Sequence, residues 1–117
     1  MRILPPRMEI IAIKMDNSLT VVIKPTRDCN LRCKYCSVGE PDSIYMSSEI
    51  AKASIEKIVL RSEEKNFTKF IWHGGEPLLP GIDFYNKIID IERPLRKEGY
   101  KIKNVVQTNG TLITDEW

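Results

Sequence analysis

Histidine occurs once in these 117 residues, and cysteine three times, all within the stretch "CNLRCKYC", Cys29 to Cys36. An odd number of thiols would leave one over from a closed disulfide framework, and nothing else suggests secretion, so the thiols read as ligands or nucleophiles. Long apolar runs are missing too. None approaches the roughly 18 residues of a spanning helix, and Pro5-Pro6 interrupts the N-terminus before the apolar core of a leader can form. No membrane is expected, and the location expected is the cytoplasm. A one-sided charge is also lacking: Lys and Arg number 18 against 16 Asp and Glu, a net charge of +2. The two signs are interspersed, and no polyanion such as nucleic acid is implied as a partner. Repeats and low-complexity tracts are absent, and the length allows one globular module.

What is present is an alternation of two periodicities. Residues 8 to 15 and 19 to 26 are runs rich in β-branched residues, separated by the turn-forming Asp16-Asn17-Ser18, and are expected to pair as a hairpin. The second run leads directly into the cysteines, which puts them on a loop at the C-terminal end of a strand. Ser47 reads as an N-cap with Glu49 in the first turn, and Ala51, Ile55, Ile58 and Val59 recur at helical spacing up to about Lys65. A buried strand is predicted over 67–73, stopping at Gly74-Gly75. A second helix is predicted from Ile82, bent or ended near Pro94 and stopped at Gly99. A third parallel strand runs from Lys101 to Thr108, and Thr114 with Asp115-Glu116 reads as the opening of a further helix. Strand, helix, strand, helix, strand points to parallel strands with right-handed crossovers, an α/β layer or barrel segment. The helix that opens and does not run, with uncovered sheet edges, predicts the N-terminal part of a longer protein.

Three soft thiolates on one loop suit zinc, copper(I) or an iron–sulfur cluster. Structural zinc is normally closed by four protein ligands, and His73 is the remaining candidate for a fourth. A 4Fe-4S cluster on three cysteines instead leaves one iron open to a small molecule.

Cys29-x3-Cys33-x2-Cys36, with Tyr35 before the third cysteine, resembles the signature of the radical S-adenosylmethionine enzymes. Gly74-Gly75-Glu76-Pro77 and Gln107-Thr108-Asn109-Gly110 follow at two later strand ends. The phrases "YMSSEI", "WHGGEPLL" and "QTNGTLIT" further resemble the subgroup of anaerobic sulfatase-maturating enzymes and peptide maturases with a C-terminal SPASM domain. The resemblance covers roughly residues 20 to 116. It implies a partial (β/α)6 TIM-like barrel truncated after its third strand, with 1–18 as an N-terminal strand or hairpin extension and 19–117 as the first half of the barrel. Cys29, Cys33 and Cys36 would ligate three irons, and the open iron would chelate S-adenosylmethionine. Reductive cleavage would then yield methionine and a 5'-deoxyadenosyl radical that abstracts hydrogen from a peptide or protein substrate. Gly74 and Gly75 would let backbone approach the cofactor, Glu76 would complement its ammonium, Tyr35 would lie near the adenine, and Thr108 and Asn109 would line the same cavity. A reductant such as a flavodoxin or ferredoxin is implied.

Each residue also has a plainer reading. The cysteines with His73 would make a zinc site, the glycine pair an ordinary strand-ending turn, Glu76 a solvated charge, Asn109-Gly110 a common turn, and Tyr35 a cover over the loop. His73 alone would be a general acid, a substrate contact or a hydrogen-bonded packing residue. Two alternative functions accompany the maturase: a radical enzyme acting on a small metabolite or nucleobase, and a non-catalytic metal-binding or electron-transfer module.

Overall fold

The computed structural model describes residues 10–15, 18–34, 44–62 and 67–117. Tyr35 and Cys36 lie outside the described residues. Among the described residues, four strands form one sheet in the order β1 (Ile10–Met15), β2 (Ser18–Ile23), β3 (Phe67–Trp72) and β4 (Lys101–Val106). β1 runs antiparallel to β2 in the expected hairpin, with Ile10 opposite Ile23, while β2, β3 and β4 are parallel in direct succession. Helix α1 (Ser48–Val59) joins β2 to β3, and α2 (Ile82–Lys97) joins β3 to β4. Consecutive parallel neighbours joined by crossovers of one hand place both helices on the same sheet face, as in a barrel wall.

Side-chain alternation follows from that arrangement. Val21, Ile23, Phe70, Trp72 and Ile102 turn to the helices and are buried with Ala51, Ile55, Ile58 and Val59 of α1 and Phe84, Ile88 and Leu95 of α2. Trp72 meets Phe84 and Tyr85 edge-on, at ring-centroid distances of 6.1 and 5.6 Å. The opposite face carries the alternate positions Ile11, Val22, Ile71 and Val105, which the register lines up across all four strands. No described helix covers that face.

The helix limits differ from expectation in two places. α1 begins as predicted, the Ser47 hydroxyl accepting from the Ile50 amide at 3.2 Å, but it ends at Val59 rather than near Lys65. α2 runs through Pro94 to Lys97. A proline there removes one bond on an exposed side of the helix, and the tertiary burial of Leu95 one residue on outweighs the loss. The stop at Gly99 is as expected, with Tyr100 N–H donating to Leu95 O and Gly99 N–H to Arg96 O, the paired bonds of a Schellman ending. Thr114 opens the turn over the last residues: its carbonyl accepts from the Trp117 amide at 3.1 Å and its hydroxyl from the Glu116 amide at 3.4 Å, the side-chain bond of an N-cap.

Candidate functional site

β2 ends at Ile23, and the chain turns at Pro25-Thr26 into the cysteine loop. Thr26 is buried and fixes this exit: its hydroxyl donates to Ile44 O at 2.9 Å and accepts from the Asp28 amide at 3.0 Å. The loop returns beside its own departure, since Thr26 and Tyr45 form an antiparallel bridge and the Met46 amide donates to Pro25 O at 2.7 Å. Asp28 ties the two legs together. One carboxylate oxygen accepts from the Cys29 amide at 2.9 Å and the other from the Tyr45 hydroxyl at 2.6 Å. The Tyr45 hydroxyl is pushed up to about 12, first by that hydrogen bond, then by burial and the Asp28 charge.

Cys29 is half-buried and Cys33 exposed, both as free thiols. The Leu31 amide points at Cys29 Sγ from 3.4 Å, and the Arg32 guanidinium folds back to donate to Cys29 O and Leu31 O at 2.5 and 2.9 Å. Sulfur donors of this kind are the soft ligands that an iron–sulfur centre takes. The donor chemistry of Cys29 and Cys33 therefore fits a thiolate-ligated iron–sulfur centre.

β3 delivers His73, Gly74, Gly75 and Glu76 to the same end of the sheet. His73 follows the helix-free face. Its Nδ1 is buried without a hydrogen-bond partner, so the fully hydrogen-bonded packing reading is not met. Burial, and secondarily the Lys24 charge, lower the His73 imidazolium below its ordinary range, favouring the neutral ring. The glycine pair has a definite steric cause. A Cβ on Gly74, which sits at φ +129°, would collide with Thr26 O, and one on Gly75 would collide with Arg27 O and Asp28 O. The Gly75 amide donates to Thr26 O at 3.2 Å and the Glu76 amide to Asp28 O at 2.7 Å. The close approach that these glycines permit is thus to the leg of the cysteine loop.

Glu76 is no solvated charge: it is 1% exposed. Its carboxylate accepts from the Thr108 hydroxyl at 2.7–2.8 Å, from the Asn109 amide at 2.9 Å and from the Leu78 amide at 2.8 Å. It therefore clamps the end of β4 to the end of β3. Next to it, Tyr85 donates to Pro77 O at 2.5 Å, and burial, with the Glu76 charge behind it, raises the phenol well above its ordinary value.

β4 supplies Thr108 and Asn109, and Asn109 reaches back across the sheet. Its Nδ2 donates to Asn30 Oδ1 at 2.9 Å, and Asn30 Nδ2 donates to the Thr111 hydroxyl at 2.7 Å. Of the expected site residues, Cys29, Gly74, Gly75, Glu76, Thr108 and Asn109 are thus tied into one strand-end assembly, with Cys33 further out on its loop. Asp28, Asn30, Tyr45 and Thr111 belong to this assembly and carried no prediction. Asp28 and Asn30, which flank Cys29, had a usable signal in their tendency to bond nearby backbone.

The family model described as Radical SAM superfamily matches residues 23–117. The chain is 37% identical over 107 residues to the serine-type anaerobic sulfatase-maturating enzyme of Bacteroides thetaiotaomicron, covering 85% of this chain and 25% of that one. It is 33% identical over 107 residues to the cysteine-type anaerobic sulfatase-maturating enzyme of Clostridium perfringens, covering 85% and 28%. Among solved structures it is similar to histidine-tagged anSMEcpe with bound AdoMet, with TM-score 0.75, 33% identity and coverage of 86% of this chain and 28% of that one. Native anSMEcpe with bound AdoMet and Cp18Cys peptide matches with TM-score 0.74 at 33% identity, over 86% and 27%. The chain spans about a quarter of the length of these relatives. The likeness bears out the expected α/β fold, the N-terminal part of such an enzyme.

Proposed function

Since the chain belongs to the Radical SAM superfamily, whose cofactors are S-adenosylmethionine and a 4Fe-4S cluster, we propose that the whole protein is a maturase that oxidises a side chain of a peptide or protein substrate. The names of the relatives, serine-type and cysteine-type maturating enzymes, and the peptide bound to anSMEcpe support that substrate class. In this reading Cys29, Cys33 and Cys36 hold the cluster, and Tyr35, Gly74, Gly75, Glu76, Thr108 and Asn109 form or support the cofactor cavity. When bound, the two cofactors supply one-electron cleavage of a sulfonium and hydrogen-atom abstraction; the chain orients them and keeps out water. Gly74 and Gly75 seat the cysteine loop, Glu76 fixes Thr108 and Asn109 beside it, and neutral His73 faces the helix-free side as a candidate substrate contact. A flavodoxin or ferredoxin is the proposed electron donor.

One observation carries this reading: the three motif-bearing strand ends interlock through Thr26–Gly75, Asp28–Glu76 and Glu76–Asn109 hydrogen bonds. The test is anaerobic reconstitution with iron and sulfide, then electron paramagnetic resonance of the reduced protein with and without S-adenosylmethionine. A cluster signal that shifts with the cofactor, and 5'-deoxyadenosine formed in the presence of a Cys- or Ser-containing peptide, are the expected results. Tight zinc binding without a cluster signal would overturn the enzyme reading in favour of a structural metal module.

A further inference from the structure

The cysteine loop touches the segment after β4 through Asn30 and Thr111, to which neither the motifs nor the relatives' names assign a part, and through Asn109. Asn109 Nδ2 donates to Asn30 Oδ1 at 2.9 Å, Asn30 Nδ2 donates to Thr111 Oγ1 at 2.7 Å, and Thr111 Oγ1 donates to Asn109 Oδ1 at 2.8 Å. These three bonds close a ring. Each amide spends one donor and one acceptor, the hydroxyl spends both, and every member donates in the same rotational sense. A closed circuit of this kind polarises each bond in turn, so it is stronger than three separate surface contacts. The Thr111 amide adds a fourth bond to Asn109 Oδ1 at 3.0 Å, and the Asn109 amide is anchored at buried Glu76.

Asn30 directly follows Cys29. We propose that Asn30, acting through Thr111 and Asn109, is a positioning residue for the cluster: the ring fixes the Cys29 end of the loop to the end of β4 and so slows the loop's release of iron. This rests on the function proposed above. Asn30, Asn109 and Thr111 are all exposed, so the ring contributes little to the core and its loss acts on the loop locally.

The test follows cluster loss to a chelator, by the fading of its visible absorbance, in the anaerobically reconstituted full-length protein. Removing one exposed hydrogen-bonded partner should speed loss about fivefold in Asn30→Ala and in Thr111→Ala. The double variant should be no faster than either single one, because both open the same ring. Thr111→Ser, which keeps the hydroxyl, should restore the wild-type rate, and the thermal midpoint of the metal-free chain should be unmoved throughout. Equal rates in wild type and Asn30→Ala, fully additive effects, or failure of Thr111→Ser to rescue would overturn the ring's role while leaving the function reading intact. A wild-type protein that takes up no iron–sulfur cluster would overturn that reading, and this inference with it.

Discussion

Gly75 has carbonyl oxygens of Arg27 and Asp28 where a methyl group would go, and those atoms are backbone, unable to swing aside. Gly75→Ala is therefore expected to cost roughly 1–3 kcal/mol by overpacking, read as a lower urea midpoint. Gly81→Ala, where a Cβ meets nothing, should lose stability through its positive φ alone. An unchanged midpoint in Gly75→Ala would remove the steric account. Glu76→Gln puts an amide N–H₂ where the Thr108 hydroxyl and the Leu78 and Asn109 amides all donate, so one buried donor is left unanswered. The expected loss is about 1–3 kcal/mol in unfolding free energy, and an unchanged value would show that the carboxylate is not the clamp described. The importance of both residues was legible in the motif, but their neighbours were not. From the motif alone Gly75 and Glu76 point at a cofactor, because nothing in the local pattern reveals that a parallel strand will bring residues 26–28 and 108–109 against them.

Between α2 and β4 lies a polar chain, built on buried Trp72 and Glu92, that no periodicity announced. Trp72 Nε1 donates to Asn104 Oδ1 at 3.0 Å, Asn104 Nδ2 donates to both Glu92 oxygens at 2.8–2.9 Å, and Arg96 donates to Glu92 Oε2 at 3.1 Å. Burial nevertheless holds the Glu92 carboxyl above its ordinary 4.5, outweighing the opposing pull of Asn104 and Arg96. The folded chain therefore keeps this proton to higher pH than the unfolded chain does. The stability it contributes is complete below 4.5 and is lost as pH rises through the raised value. Glu92→Gln should abolish that fall, giving a flatter plot of unfolding free energy against pH above 4.5 than wild type. Parallel plots would sink the assignment. Glu92 occupies an apolar-face position of α2 next to Ile88 and Leu95, so helical spacing read from Ile and Leu alone passed over it. The strands were legible because alternation at Phe70 and Trp72 is local. The end of α1 was not, since helical spacing in the sequence continued past the point where burial stops supporting the helix.

Taken whole, the sheet has two unlike faces. Ile10 is fully buried against the helices while Ile13, three residues on in the same strand, is 51% exposed. Ile10→Ala is expected to cost about 2–5 kcal/mol, and Ile13→Ala no more than about 0.5 kcal/mol, both by chemical denaturation of this chain. The pairing of Ile11 and Ile13 with Val22 and Thr20 also predicts that the double variant Ile11→Lys/Ile13→Lys binds less of an apolar-surface dye while keeping its far-ultraviolet spectrum. A variant that unfolds instead would mean that the face is covered in solution. The interlock of the strand ends limits how such a molecule can be rebuilt. The eight residues from Cys29 to Cys36 are no portable cassette. The paired glycines of one strand end seat residues 26–28, just before Cys29, and the Asn109–Thr111 hook of another holds Asn30, just after it, the hook itself hung from Glu76. Grafting the cysteines onto a foreign barrel would transplant the ligands without their mould, and the smallest transferable unit is three strand ends moved together.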